Sequence, residues 1–203
     1  MNENKVAFGL KNVHYALYDF KDGVVTFSTP IRLPGAVELT FDPRGDLIEF
    51  YADDMLYYAA SNNQGYDGTL SIAHIPEQFA VDALGEELDA EDGVLNELAD
   101  AKGKPFALLF EFDGDVRATR HVMFNCSASR PTIASKTKTN SAEPNTNELK
   151  FVSSPIDING KRMVKTKTTT KSKQEIYDNW YKKVYTKVYT KVYTKVPTLP
   201  KGA

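Results

Sequence analysis

The chain has 203 residues, a formal charge of −2 and a single cysteine. This length suits one domain with extensions, which can bury roughly 70% of the surface that its unfolded form exposes. Because Cys126 has no second cysteine to pair with, an intramolecular disulfide is excluded, which suits a reducing compartment. The sequence contains no apolar run of the kind found in signal peptides or membrane spans, which predicts a soluble protein made in the cytoplasm.

The small net charge conceals a strong asymmetry along the chain. Residues 1–129 carry 22 acidic and 9 basic residues, a net of −13, whereas residues 130–203 carry 5 acidic and 16 basic residues, a net of +11. Three interpretations fit: a solvated acidic surface with a basic tail, a basic end that meets the acidic body of another copy, or nucleic-acid binding by the basic end. The basic end lacks an arginine cluster and a nucleic-acid-binding motif, which disfavours the third.

Apolar stretches separated by turn-forming residues predict β-strands in the first part of the chain. The strands are expected at residues 5–18, 24–27, 31–33, 36–41, 47–60 and 69–75. Asp42, Pro43, Arg44 and Gly45 have the composition of a type I turn, so the strands on either side are predicted to form a β-hairpin. Residues 61–68, SNNQGYDG, are expected to be a polar loop.

Helical and strand patterns alternate in the second part. Pro76 opens a predicted helix over residues 76–84 that Gly85 is placed to end, and residues 86–101 are a second, acidic helical candidate. Strands at 106–112 and 116–126 flank Asp113-Gly114, a hairpin signal. Further strands are expected at 148–158 and 163–170 after an exposed loop at 130–147. The resulting division is a β domain over residues 1–172 and a C-terminal extension over 173–203.

Residue patterns of the known catalytic and metal-binding motifs are absent. His14, His74 and His121 are far apart, without the spacing of metal ligands. Nucleophile elbows, phosphate-binding loops and dinucleotide-binding fingerprints do not occur. We therefore expect no catalytic, cofactor-binding or metal site, and a structural protein that is not an enzyme.

Several stretches share their order and spacing with one protein family. They are GLKNVHYA from Gly9, LPGAV from Leu33, FYADD from Phe50, NNQGY from Asn62, IPEQF from Ile75 with Leu84-Gly85, FALLFEFDGD from Phe106, and Asn125-Cys126 with Arg130-Pro131. Over residues 5–185 the chain thereby resembles the major tail protein (tail tube subunit) of long-tailed, non-contractile bacteriophages, the siphophages.

The resemblance implies a mainly β (α+β) fold of the tail-tube type. This fold is a β-sandwich or partly rolled barrel with one flanking helix near 76–84 and an extended C-terminal arm. The resemblance also implies a structural virion protein whose hexameric rings stack into the tail tube, a conduit for DNA ejection into the host. The protein would be made in the host bacterial cytoplasm, reside in the virion and insert into no membrane.

The implied partners are further copies of the chain, the tape measure protein and DNA in the lumen, and the tail terminator and distal tail proteins at the tube ends. Duplex DNA carries one negative charge per ~1.7 Å of its length, so a bore lined by carboxylates would repel it. We therefore expect part of the acidic excess to face the lumen. The basic C-terminal region is expected outside the lumen or at subunit contacts.

Two groups of residues are candidates for contacts between subunits or between rings. They are Pro43, Arg44, Gly45 and Asp46 in the first predicted turn, and Tyr177, Trp180 and Tyr181 near the C-terminus. The second group precedes a repeat, KVYT, that starts at Lys183, recurs from Lys187 and Lys191 and degenerates from Lys195. Members of the family are expected to end after the first copy. We therefore expect residues 177–186 to dock on a neighbouring subunit with Trp180 as a buried anchor, and the later copies to be redundant.

A β-sandwich binding module for carbohydrate or a host surface is the alternative. Such a module would need an exposed aromatic patch. The 11 tyrosines could supply one, but in the sequence they are scattered through predicted strands or concentrated in the tail.

Overall fold

The computed structural model describes residues 3–21, 24–135, 137 and 145–187, and within them the chain is mainly β. The strands are β1 (Ala7–Lys21), β2 (Val24–Phe27), β3 (Ile31–Arg32), β4 (Ala36–Arg44), β5 (Leu47–Ala52), β6 (Met55–Ser61), β7 (Gly65–Ile72), β8 (Glu87–Leu88), β9 (Leu95–Asn96), β10 (Phe106–Gly114), β11 (Thr119–Ala128), β12 (Asn147–Ser153), β13 (Ile156–Ile158), β14 (Lys161–Met163) and β15 (Lys165–Lys167). The helical segments are α1 (Glu77–Phe79), which continues as a π-helical turn (Ala80–Leu84), and α2 (Gln174–Asp178).

Nine of the described strands form one antiparallel sheet. Its main path runs β2-β1-β10-β11-β12-β7-β4, with β3 added to β1 and β15 added to β11. Three two-stranded sheets, β5-β6, β8-β9 and β13-β14, lie outside it. The predicted mainly β fold with one flanking helix near residues 76–84 is confirmed.

Strand β10 is buried on both faces, as its unbroken apolar sequence FALLF favours. Phe106, Leu108 and Phe110 point into one apolar cluster, which we call the first core. Ala107 and Leu109 point into a second cluster on the opposite face, the second core. The sheet therefore has packed layers on both sides of its centre, and each surface of the subunit can be assigned to one side or the other.

The first core contains the helix predicted between Pro76 and Gly85. Its buried residues are Phe79, Ala80, Ala83 and Leu84. Pro76 precedes the first helical residue, and Gly85 ends the segment in the left-handed conformation at φ 83°, as expected for a C-terminal glycine. The ring of Phe79 meets that of Tyr15 edge-on at 4.9 Å, which joins the helix to β1.

The hairpin predicted across a turn at residues 42–45 is wrong. Residues 42–44 belong to β4, which pairs along its length with β7 instead of with the strand that follows it. Residues 47–60, predicted as one strand, fold back on themselves as β5 and β6 with Asp53-Asp54 at the tip. The predicted loop at 61–68 is correspondingly shorter, because β7 already begins at Gly65. A composition typical of a turn was overridden by the long-range pairing of β4 with β7.

The second predicted helix, over residues 86–101, is also wrong. This segment forms the small β8-β9 hairpin. The carboxylate of Asp89 accepts hydrogen bonds from the backbone N–H groups of Glu91 and Asp92, which closes a turn. Gly93 adopts φ 67°. Local side-chain bonds of this kind compete with a helix.

The other predicted elements agree more closely with the structure. The hairpin around residues 113–115 is confirmed as β10 paired with β11, although its turn extends to Ala118. The strands predicted at 148–158 and 163–170 are present as four shorter strands, β12 to β15. Part of the predicted loop at 130–147 and the repeat copies from residue 188 onward lie outside the described residues. The division at residue 172 stays a prediction.

Candidate assembly surfaces

The β5-β6 hairpin exposes an unusual amount of apolar surface. Its two strands pair with each other, and neither joins the main sheet. Eight large apolar side chains on it are each at least 49% exposed: Leu47, Ile48, Phe50, Tyr51, Met55, Leu56, Tyr57 and Tyr58. An isolated two-stranded hairpin is marginally stable in water, and contiguous exposed apolar surface marks interaction sites. The hairpin therefore has the properties of a surface that a partner covers.

The tip and the base of this hairpin are sharply defined. Asp53 and Asp54 adopt φ 53° and 58°, the left-handed pair that a two-residue type I′ turn requires. At the base, Gly45 adopts φ 109°, and a Cβ there would lie 1.7 Å from the backbone oxygen of Asn62. Glycine is therefore required where the hairpin leaves β4.

The predicted contact residues 43–46 lie at that base. Pro43 and Arg44 are the last residues of β4, opposite Tyr66 and Gly65 of β7. The Arg44 guanidinium lies 3.5 Å from the Asp67 carboxylate. Gly45 and Asp46 connect β4 to β5. The structure thus brings these four residues next to the exposed hairpin, and their contact with another subunit stays a prediction.

The second predicted group packs against its own chain. Trp180 is 2% exposed in the second core, and its indole N–H donates to the backbone oxygen of His121 at 3.2 Å. The Tyr177 ring lies 3.6 Å from the guanidinium carbons of both Arg117 and Arg120. Trp180 is thus buried within its own subunit, and the docking of residues 177–186 on a neighbouring subunit stays a prediction.

A buried ionic network holds this C-terminal segment in place. The Glu111 carboxylate, 6% exposed as a residue, accepts hydrogen bonds from Arg120 Nε at 2.8 Å and Asn12 Nδ2 at 2.6 Å. The Tyr181 hydroxyl donates to the same carboxylate at 3.1 Å. Burial raises the pKa of Tyr181, with the negative charge of Glu111 adding to the effect. Arg120 also donates to the backbone oxygen of Tyr177.

The outward face of β4, β7 and β12 is polar and mostly acidic. Antiparallel register places Glu38 and Glu148 on either side of Ser71, and Asp42 beside Asp67. Alternate residues of the same strands, such as Leu70 and Phe151, point into the first core. Across this face, which we call the acidic sheet face, the charged residues are Glu38, Asp42, Arg44, Asp67, Glu148 and Lys150. The acidic sheet face therefore carries four carboxylates and two cations.

Two buried titratable groups belong to the packing of the sheet. Burial raises the pKa of the Cys126 thiol to about 12, so it is a poor nucleophile. Burial also lowers the pKa of His121 to about 4, with Lys167 and Lys165 adding to the effect. Over the described ranges there is no group of three or more histidine, cysteine or carboxylate side chains that could hold a metal ion. No helix in the same ranges is long and apolar enough to cross a membrane.

Comparisons with known proteins gave structural likenesses. No family model matches the chain, and no curated protein does. One similar solved structure is the tube-terminating cap of the anti-feeding prophage, with 12% identity, a TM-score of 0.47 and coverage of 82% of this chain and 93% of that chain. Another is the sheath–tube complex of PVC, an extracellular contractile injection system, in its extended state, with 12% identity, a TM-score of 0.43 and coverage of 82% and 94%.

A third similar structure is Hcp1 from Flavobacterium johnsoniae, with 7% identity, a TM-score of 0.32 and coverage of 76% of this chain and 99% of that chain. All three identities and scores are low. The assignment to siphophages stays a prediction.

Sequence reasoning missed the exposed apolar surface of the β5-β6 hairpin. The signal was present, because LIEFYADDMLYYAA lacks the alternation of apolar and polar residues that a half-buried strand shows. Strands that are apolar on both faces are typical of positions covered on both sides. Only the structure shows that its own subunit leaves the hairpin exposed.

Proposed function

We propose that this protein is the subunit of a phage tail tube, in which hexameric rings stack into a conduit for DNA. The single observation that carries the proposal is the exposed β5-β6 hairpin. A chain that displays eight large apolar side chains on a projecting hairpin is stable in solution once another protein covers them. In a stack of identical rings, the next ring supplies that cover at every level.

The connections of the hairpin are compatible with a contact beyond its own ring. It leaves the sheet through Gly45 at the end of β4 and returns through Ser61 to β7, so both connections lie at one edge of the main sheet. Its tight Asp53-Asp54 turn keeps the two strands together. We infer that the hairpin packs on the adjacent ring and that Pro43, Arg44, Gly45 and Asp46 lie at the rim of this contact.

The acidic sheet face is the proposed wall of the lumen. It is mostly polar, and it carries four carboxylates and two cations. Such a surface repels the phosphates of a passing duplex. The tape measure protein would occupy the same bore before DNA does, and the tail terminator and distal tail proteins would close the ends.

The test is a matched pair of substitutions at exposed phenylalanines. Phe50, in the hairpin, is 58% exposed, and Phe20, in β1, is 65% exposed. Either side chain can be changed to aspartate with little effect on folding, because both are solvated in the subunit. Phe50→Asp would place a charge in the contact between rings, which is costly without a partner charge.

We expect Phe50→Asp to give folded subunits or single rings that do not stack, while Phe20→Asp forms tubes like the unchanged protein. Negative-stain electron microscopy and sedimentation velocity measure the difference. Tubes of normal length from Phe50→Asp would refute the assignment of the hairpin to the contact between rings.

One observation favours the alternative binding module. The rings of Phe50 and Tyr57 lie 6.4 Å apart, and with Tyr51 and Tyr58 they give the hairpin four exposed aromatic side chains, of the kind that a carbohydrate-binding surface would need. Such a module would remain a stable monomer at high concentration. Its hairpin variants would lose binding to glycans or to host cells without any change in sedimentation.

A further inference from the structure

A lysine-lined cleft opens beside the C-terminal segment. It encloses about 560 Å³ between β14, β15 and α2. Its cationic lining residues are Lys161, Lys167, Lys171, Lys173 and Lys187. No acidic residue is among the described residues that line it. Lys171 lies 4.0 Å from the Glu3 carboxylate, and both side chains are largely exposed.

The floor of this lysine cleft is apolar. Trp180, Ile176 and Met163 line it, and Tyr185 stacks on Trp180 with a ring separation of 5.8 Å. Bare phosphate would leave such a floor uncovered. The chemistry of the cleft therefore fits a peptide that carries carboxylates around one or two apolar side chains.

The chain itself contains a surface of that chemistry. Residues 86–100, which include the β8-β9 hairpin, carry seven carboxylates and no basic residue. Asp89 closes its own turn and Glu97 binds Arg130 at 3.0 Å. Glu87, Glu91 and Asp92 are exposed. Among these carboxylates, Leu88, Val94 and Leu98 are 52%, 52% and 43% exposed.

The two surfaces lie on opposite sides of the main sheet. The acidic segment follows the helix that packs in the first core, and its own Leu95 packs there too. The lysine cleft adjoins Trp180 and Ile176 of the second core. An acidic surface on one side and its basic counterpart on the other give a head-to-tail contact between copies. Repeated head-to-tail contacts close into rings when the rotation between copies permits.

We propose that residues 86–100 of one subunit bind in the lysine cleft of the next subunit of the same ring. The proposal rests on the proposed function, since it supplies the lateral contact that a ring requires. It also assigns a role to the opposite net charges of residues 1–129 and 130–203. Exposed Leu88 or Val94 would pack against the partly exposed Met163 and Ile176 of the cleft, and the surrounding carboxylates would lie among the lysines.

The test is a charge exchange between the two surfaces. One variant, Glu87→Lys with Glu91→Lys, reverses the acidic hairpin, and another, Lys171→Glu with Lys173→Glu, reverses the cleft. All four residues are exposed in the subunit, so folding is preserved. Asp19→Lys and Lys21→Glu, two exposed reversals in β1 away from both surfaces, are the matched controls.

Sedimentation at low and high salt measures association. We expect either double reversal alone to weaken it roughly tenfold or more, because like charges then face each other. An equimolar mixture of the two double reversals should recover association, since each hairpin then meets a cleft of opposite charge. The controls should associate like the unchanged protein, whose association should weaken as salt rises.

Normal association of either double reversal, or failure of the mixture to recover it, would overturn this contact and leave the stacked tube standing. Single rings of the unchanged protein that never stack would support the contact and count against the tube. An unchanged protein that sediments as a monomer at low salt would overturn both.

Discussion

The carboxylate of Glu111 is a buried charge with three hydrogen-bond partners. It meets Arg120, Asn12 and the Tyr181 hydroxyl in a nearly closed environment. Removing one partner of such a pair leaves the other charge buried and uncompensated. We expect Glu111→Ala to lower the free energy of unfolding by about 3 kcal/mol, measured by urea unfolding followed through Trp180 fluorescence.

The matched control for this variant is Glu148→Ala. Glu148 is exposed and lies 4.0 Å from Lys150. Exposed ion pairs contribute little, so the expected loss is below about 0.5 kcal/mol. Equal losses in the two variants would show that the Glu111 network does not hold the C-terminal segment.

His121 makes stability depend on pH. Its ring stacks on that of Phe110, with 5.0 Å between the ring centroids and 1° between the ring planes. Burial lowers the pKa of His121 to about 4. Below pH 6.5, the ordinary pKa of histidine, His121 binds a proton in the unfolded chain. In the folded chain it stays neutral until about pH 4. Its contribution to stability is therefore complete above pH 6.5 and is lost as pH falls to 4. The expected loss is about 3 kcal/mol.

Urea unfolding at pH 7 and pH 4.5 tests this dependence. His121→Phe should remove most of the loss, whereas His74→Phe, at an exposed position, should leave it. His14, whose pKa burial also lowers, accounts for part of the slope that remains. An unchanged slope in His121→Phe would contradict the assignment.

Among the elements, the C-terminal segment is a structural part of the subunit. Trp180 and Val184 are each 2% exposed and complete the second core with Leu109, Val122 and Phe124. Truncation after Thr186 keeps these contacts, so the free energy of unfolding should stay within about 0.5 kcal/mol. Trp180→Ala should lower it by about 3 kcal/mol or more, because a large buried ring is lost.

The same two variants separate packing from assembly. We expect the protein truncated after Thr186 to form tubes, because the first repeat copy already supplies Val184 and Tyr185. Loss of tubes without loss of stability would show that the later copies have a role in assembly. Chemical denaturation and electron microscopy of the same samples give both readouts.

Local signals account for the elements that the sequence predicted. Asp113-Gly114 beside FALLF indicates the central hairpin, and Pro76 and Gly85 mark the helix. The pairing of β4 with β7 could not be read from the turn-like residues 42–45, because it depends on contacts across the sheet. Burial of Trp180 in its own chain likewise depends on the second core, whose other members come from β1, β10, β11, β13 and the C-terminal segment itself.

At the scale of the whole molecule, the charge asymmetry resolves into three surfaces. Acidic residues lie on the sheet face of β4, β7 and β12 and on the β8-β9 hairpin, while lysines gather in the cleft beside α2. One acidic surface fits the lumen and the other fits the basic cleft of a neighbour. In the proposed tube, the apolar β5-β6 hairpin would provide the contact along the axis.

Cryo-electron microscopy of the purified full-length protein tests this arrangement most directly. We predict stacked rings with the β5-β6 hairpin buried between them and Glu38, Asp42, Asp67 and Glu148 lining the bore. A protein that stays monomeric at high concentration, or a bore lined mainly by lysine and arginine, would contradict it.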